Sequence, residues 1–138
     1  MGASTYTRNN VLKALLRGEA MPLPTGTYIA LHTADPGVGG ANEVTTGAWP
    51  AYARRKAEAA GAMGSGWSSP TVGISANTNQ LTFPSKDGDS LVTVTHFSIW
   101  DALTGGNCLE SAVLTTPRAL SVGDILVFDV ASLTVTVS

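Results

Sequence analysis

From Val72 to the end of the chain, apolar and polar residues trade places at short intervals, punctuated by Gly, Asp, Ser and Thr. Side chains of an extended backbone point to alternate faces, so the pattern predicts a run of short strands. The predicted segments are Val72–Ser75, Gln80–Phe83, Val92–Trp100, Cys108–Leu114, Ile125–Val130 and Leu133–Val137. In Ile125–Val130 both faces are largely apolar, which predicts a central strand covered on both sides. In Leu133–Val137 the apolar residues Leu133, Val135 and Val137 share one face and Thr134 and Thr136 the other, a strand with one wet side. The expected core is Phe97, Ile99, Leu126, Phe128, Leu133 and Val135.

The first half has a different period. Val11, Leu12, Leu15 and Leu16 recur at helical spacing between Thr7 and Arg17, with Thr7 as a candidate N-cap and Gly18 as a stop. A helix of about eleven residues is marginal alone in water, so its apolar stripe needs a cover. Met21-Pro22-Leu23-Pro24 then enforces an extended connection, because each proline lacks a donor and biases its predecessor away from helix. Thr27–Thr33 reads as a strand closed by an Asp35-Pro36-Gly37 turn. Val38 to Gly47 reads as an exposed loop. Tyr52–Glu58 reads as a strand or, with the Ala-rich tract through Ala62, a helical turn, and Gly61–Pro70 as a loop around Trp67. The expected fold is mainly β: a single-domain antiparallel β-sandwich, jelly-roll-like, over residues 25–138, with one N-terminal α-helix and its connecting arm in residues 1–24.

At 138 residues and 43% hydrophobic content the chain can bury one real core. Charged residues make up 13%, about half the usual share, and the net charge of -2 offers no field to gather nucleic acid or anionic lipid. A single Cys108 excludes an internal disulfide. No apolar run approaches the about 18 residues that span a bilayer, and no signal-peptide core is visible, so synthesis and folding in a cytoplasm are expected.

Candidate chemistry is thin. His32, His96, Cys108, Asp35 and Asp101 lack the spacing of a metal site. There is no Gly-x-Ser-x-Gly, Asp87 and Asp89 flank Gly88 as a hairpin turn would, and Gly37-Val38-Gly39-Gly40 is followed by no helix to receive a pyrophosphate. No catalytic residue, metal or cofactor is expected. Arg54-Arg55-Lys56 is split between two strand faces and makes a poor phosphate footprint, which leaves a rim contact to a neighbouring subunit. Trp49 and Trp67 lie in Gly- and Pro-rich loops, where a large aromatic either plugs the end of a sandwich or meets a partner, a protein subunit or a glycan. Trp100 ends an apolar strand and belongs to the core.

Several stretches resemble a family of small tailed-bacteriophage virion proteins, the tail-fibre-like or minor tail proteins. They are Tyr28-Ile29-Ala30-Leu31-His32-Thr33-Ala34-Asp35-Pro36-Gly37, Gly40-Ala41-Asn42-Glu43-Val44, Tyr52-Ala53-Arg54-Arg55, Val94-Thr95-His96-Phe97-Ser98-Ile99-Trp100-Asp101-Ala102-Leu103-Thr104-Gly105-Gly106-Asn107, Val122-Gly123-Asp124-Ile125-Leu126-Val127-Phe128 and Leu133-Thr134-Val135-Thr136-Val137. They keep the family order and span nearly the whole chain. The resemblance implies a non-enzymatic structural protein of the virion, assembled in the host cytoplasm, that self-associates as a trimer by preference or as a dimer. Its partners would be other virion proteins, with no nucleic acid and no membrane; a host surface glycan is a further reading. A capsid decoration or cement protein on the head is the alternative. The interface candidates are Val11, Leu12, Leu15, Leu16, Trp49, Tyr52, Arg54, Arg55 and Trp67.

Overall fold

The computed structural model describes residues 2–59 and 61–137. It is mainly β, with one helix among the described residues, as the alternation predicts. The elements are β1 (Gly2–Ala3), α1 (Thr5–Arg17), β2 (Tyr28–His32), β3 (Arg55–Lys56), β4 (Ile74–Ala76), β5 (Leu81–Thr82), β6 (Val92–Trp100), β7 (Cys108–Leu120), β8 (Val127–Phe128) and β9 (Thr134–Thr136). A five-stranded antiparallel sheet runs in the order β1-β7-β6-β2-β3. Two antiparallel ribbons, β4-β9 and β5-β8, form the second layer.

The core lies between these layers. Ile29 and Leu31 of β2 stand opposite Ile99 and Phe97 of β6, and Leu81, Phe83, Leu126, Phe128 and Leu133 close over them. Phe83 meets Phe128 edge-on at 6.1 Å and Tyr52 in a stack at 6.5 Å. Of the expected core residues, Phe97, Ile99, Leu126, Phe128 and Leu133 are buried, and Val135 is half-buried against them.

Four expectations need correction. Ile125–Val130 is not a central strand: only Val127–Phe128 is extended, in an outer ribbon, so Leu126 and Phe128 face the core while Ile125 and Val130 stay exposed. The strand from Cys108 continues past Leu114 to Leu120, and Pro117 falls in the stretch between Val113 and Arg118 where pairing with β6 lapses, so its missing N–H breaks no rung. The N-cap is Ser4, not Thr7. Ser4 Oγ accepts from the Thr7 N–H at 3.1 Å, while the Thr7 hydroxyl donates to the Leu109 carbonyl at 2.8 Å and ties the helix to β7. Gly18 does end the helix, at φ 66. Tyr52–Glu58 yields only the two-residue β3, and Ala60 of the Ala-rich tract lies outside the described residues.

A one-residue bulge in β7 sets which of its residues face the core. Trp100 pairs with Cys108 but Ile99 pairs with Glu110, leaving Leu109 unmatched. In a regular strand residues 108 and 110 would share a face; the bulge sends Cys108 to the outer side with Trp100 and Glu110 to the core side with Ile99.

Candidate docking surface

Helix α1 starts where the sheet edge ends. Its register puts Thr7, Asn10, Val11 and Ala14 half-buried toward β7, and Arg8, Leu12, Leu15 and Leu16 on the opposite face, at i, i+4, i+7 and i+8. Leu12, Leu15 and Leu16 are 54%, 76% and 77% exposed, and no residue of the helix is buried. Val11 thus parts from the three leucines it was grouped with and faces the chain's own body. Leu23 and Met21 in the connector are exposed too. Scattered surface leucines are ordinary; three on adjacent turns of one short helix form a patch. The helix also carries three of the chain's eight basic residues, Arg8, Lys13 and Arg17, and none of its ten acidic ones.

Beside the start of α1, the sandwich opens in a groove of about 230 Å³. Ile99, Leu109, Trp67, Val135, Pro24 and Met63 line it, with Thr27 and Ser75 among them. Trp67 is half-buried, its indole N–H donating to Thr27 Oγ1 at 2.8 Å, and Thr27 in turn donates to the fully buried Glu58 at 2.6 Å. The one acidic group of the groove is Glu110. It is 7% exposed, and among the described residues neither carboxylate oxygen has a hydrogen-bond partner. Burial pushes its carboxyl up to about 7, an effect the charges of Arg8 and of the N-terminal amine only partly oppose. The neighbouring Ser111 hydroxyl is also buried without a partner among the described residues.

Tyr52 and Arg54 belong to a different region. Arg54 forms a two-pronged ion pair with Glu43 at 2.9 and 2.8 Å, donates to the carbonyls of Ala102 and Gly105 at 2.9 and 2.8 Å, and lies 3.9 Å over the Trp100 ring. Tyr52 donates to Glu43 at 2.9 Å and accepts from the Leu31 N–H at 3.0 Å. Burial alone would raise the Glu43 carboxyl, but the Arg54 and Tyr52 hydrogen bonds overcome it and hold the group below its ordinary value. Burial drives the Tyr52 phenol well above its usual value. Arg54 is buried, so it is a clamp between loops of this chain and not a rim residue facing a neighbour. Trp49 is likewise fully buried, its ring 5.6 Å from that of Tyr52 and its indole N–H donating to the Ser85 carbonyl, and of its two readings the plug is the one the structure shows. Arg55 is half-buried, and its Nε has no partner among the described residues.

A family model described as Podophage GP4 fiber I protein gp80 matches residues 2–136. The chain belongs to that family. It is thus a phage virion structural protein of the tail-fibre kind. Among curated proteins no match is found.

In this fibre protein several of the stretches that carried the resemblance, those around His32, Gly40–Asn42 and Ser98–Asn107, meet on the outer face of the five-stranded sheet. His32 Nδ1 donates to the Ala41 carbonyl at 2.7 Å, which leaves Nε2 to accept from the Ser98 hydroxyl at 2.6 Å; Ser98 accepts in turn from the Trp100 indole at 2.7 Å. Burial lowers the pKa of His32 below its ordinary value, in keeping with that neutral tautomer. Gly40, at φ 78, lies so close to Trp100 that a Cβ there would sit 2.4 Å from the ring. Asn42, at φ 62, donates to the Asp35 carbonyl, and Asp101 accepts from both the backbone and side chain of Asn107. The motif residues therefore hold loops 33–43 and 101–107 to the sheet. Burial raises the Cys108 thiol to about 11, so it is an unreactive packing group. Among the described residues no three His, Cys, Asp or Glu side chains gather to hold a metal, and no helix is long and apolar enough to cross a membrane.

Sequence reasoning missed both Glu43, the counter-charge of Arg54, and Glu110. A clue existed for Glu43, since it lies eleven residues before Arg54 in a motif of its own. Nothing local marks Glu110, whose position depends on the bulge.

Proposed function

We propose that this fibre protein works by docking, anchored by the outward face of α1 to other virion proteins and to further copies of itself. The observation that carries the reading is the exposure of Leu12, Leu15 and Leu16 on a helix that buries none of its residues. Such a helix is marginal in water, and a cover for its leucines is what would hold it in a particle. The low charge of the rest of the surface suits broad protein contact. Self-association as a closed homo-oligomer, trimer first and dimer second, belongs to the same reading, as does the division into an arm at 1–24 and a sandwich at 25–138.

Family membership favours a fibre over a head decoration protein. A glycan-binding role lacks its platform, because Trp49 is buried and Trp67 shows only part of its ring. With structural contact as the role, no catalytic step is assigned to any residue. The test is to locate the chain in an imaged particle carrying a density tag at its C-terminus. Tag density on the tail fibres supports the reading, and density spread over the head lattice overturns it.

A further inference from the structure

The groove at Glu110 is built to hold something. Its lining is apolar but for Thr27, Ser75 and Glu110, and the Glu110 carboxylate, buried beneath the groove surface, has no hydrogen-bond donor among the described residues. An isolated buried carboxylate is unfavourable, and a basic group brought beside it in an apolar setting relieves that cost. The ligand that fits is therefore an apolar surface carrying a base. The exposed face of α1 has that composition: three leucines in line with Arg8, flanked by Lys13, with no acidic residue anywhere on the helix.

Among the described residues the chain supplies no hydrogen-bond partner to the Glu110 carboxylate. Hydrogen bonds from the Ser4 N–H and the Thr7 hydroxyl to the Leu109 carbonyl pin the start of α1 at the groove's edge, and the half-buried Thr7, Val11 and Ala14 turn the leucines outward. The charges of Arg8 and of the N-terminal amine lower the Glu110 pKa, but Arg8 makes no hydrogen bond to it.

We propose that the groove is the seat for the leucine face of α1 from a second copy of this chain, with a basic residue of that helix meeting the Glu110 carboxylate. The inference rests on the docking role of α1 proposed above and names its partner. A helix-to-groove contact joins two different surfaces, so it propagates head to tail and closes as a ring, or pairs reciprocally about a two-fold axis.

The test uses the purified full-length chain in sedimentation velocity, with circular dichroism to confirm that each variant keeps its strands. The wild type should form a closed oligomer. A helix variant, Leu15→Glu/Leu16→Glu, and a groove variant, Glu110→Arg, should each associate at least about tenfold more weakly and sediment as monomers. Met63→Arg, at an exposed position of the lining, serves as a second groove variant should Glu110→Arg fail to fold. Mixing the helix variant with a groove variant restores one competent contact, the helix of the groove variant on the groove of the helix variant, and should give a 1:1 dimer and nothing larger. Groove variants that assemble like the wild type overturn the proposal, because the leucines would then pair with one another. A mixture that stays monomeric, or a monomeric wild type at millimolar concentration, overturns it as well. The tagged particle still decides the docking role separately, since another virion protein can cover α1 when no second copy does.

Discussion

Two regions of this molecule treat buried charge in opposite ways. Around Arg54 every charge has a counterpart: Glu43 takes both prongs of the guanidinium, two carbonyls take a third nitrogen, Trp100 lies under its face, and Tyr52 completes the acid's shell. Around Glu110 the described residues supply no hydrogen-bond partner, and the adjacent helix holds its leucines in water. A buried ion pair with complete hydrogen bonding holds loops in one arrangement; a buried acid without a partner, next to exposed apolar surface, is a state a free chain tolerates and an assembly relieves. The first region is finished within one chain. The second is the one proposed to meet a partner.

The sharpest way to break this contrast is at the clamp. Arg54→Ala removes the counter-charge and should cost roughly 3 kcal/mol in chemical denaturation, the low end of the range for a broken buried pair because Glu43 keeps some contact with water. Because the folded-state pKa of Glu43 is depressed, its contribution is present above about pH 4.5 and is lost as pH falls through the lowered value; the variant should lose that part of its acid sensitivity. A loss below about 0.5 kcal/mol would show that the clamp is surface decoration.

Glu110 should behave in the reverse sense. Its folded-state pKa is raised to about 7, so the native chain holds its proton more tightly than the unfolded one, and stability falls as pH rises from about 4.5 to about 7. In dilute protein Glu110→Gln should therefore gain roughly 2 kcal/mol at pH 8 and little below pH 4.5. A variant less stable than wild type at pH 8 would mean that the carboxylate already has a partner. The smallest effect belongs to the leucines. Leu15→Ser/Leu16→Ser should change the stability of the free chain by about 0.5 kcal/mol or less, since neither side chain is covered. Loss of more than about 2 kcal/mol would place them in the chain's own core.

How much of this is legible in the sequence depends on how local each signal is. The α1 stripe, its Gly18 stop, β6 and the core residues Phe97, Ile99, Leu126 and Phe128 are written in periods of a few residues, and the mainly β fold with one helix is built from them. Strand alternation assigns Arg54 to a subunit rim because it treats neighbours only; the real partners are eleven, 48 and 51 positions away. Trp49 reads as a loop aromatic of either kind, and only the packing of Tyr52 and the Ser85 carbonyl around it shows it as a plug. Ile125 and Val130 make a strand look central because an apolar residue on an outer ribbon is indistinguishable in sequence from one beneath a second sheet. The Glu110 groove is invisible because a one-residue bulge, unannounced by any glycine at Leu109, sets which way β7 faces.

The central claim is that the outward face of α1 is the surface through which the protein enters the particle. The most direct measurement is incorporation: purified particles made with the Leu15→Glu/Leu16→Glu chain, with the protein quantified by mass spectrometry against wild-type particles and against the soluble pool. The expected result is a soluble, β-rich chain that is missing from the particles. Incorporation at the wild-type level would contradict the claim, and would leave the exposed leucines without a role in assembly.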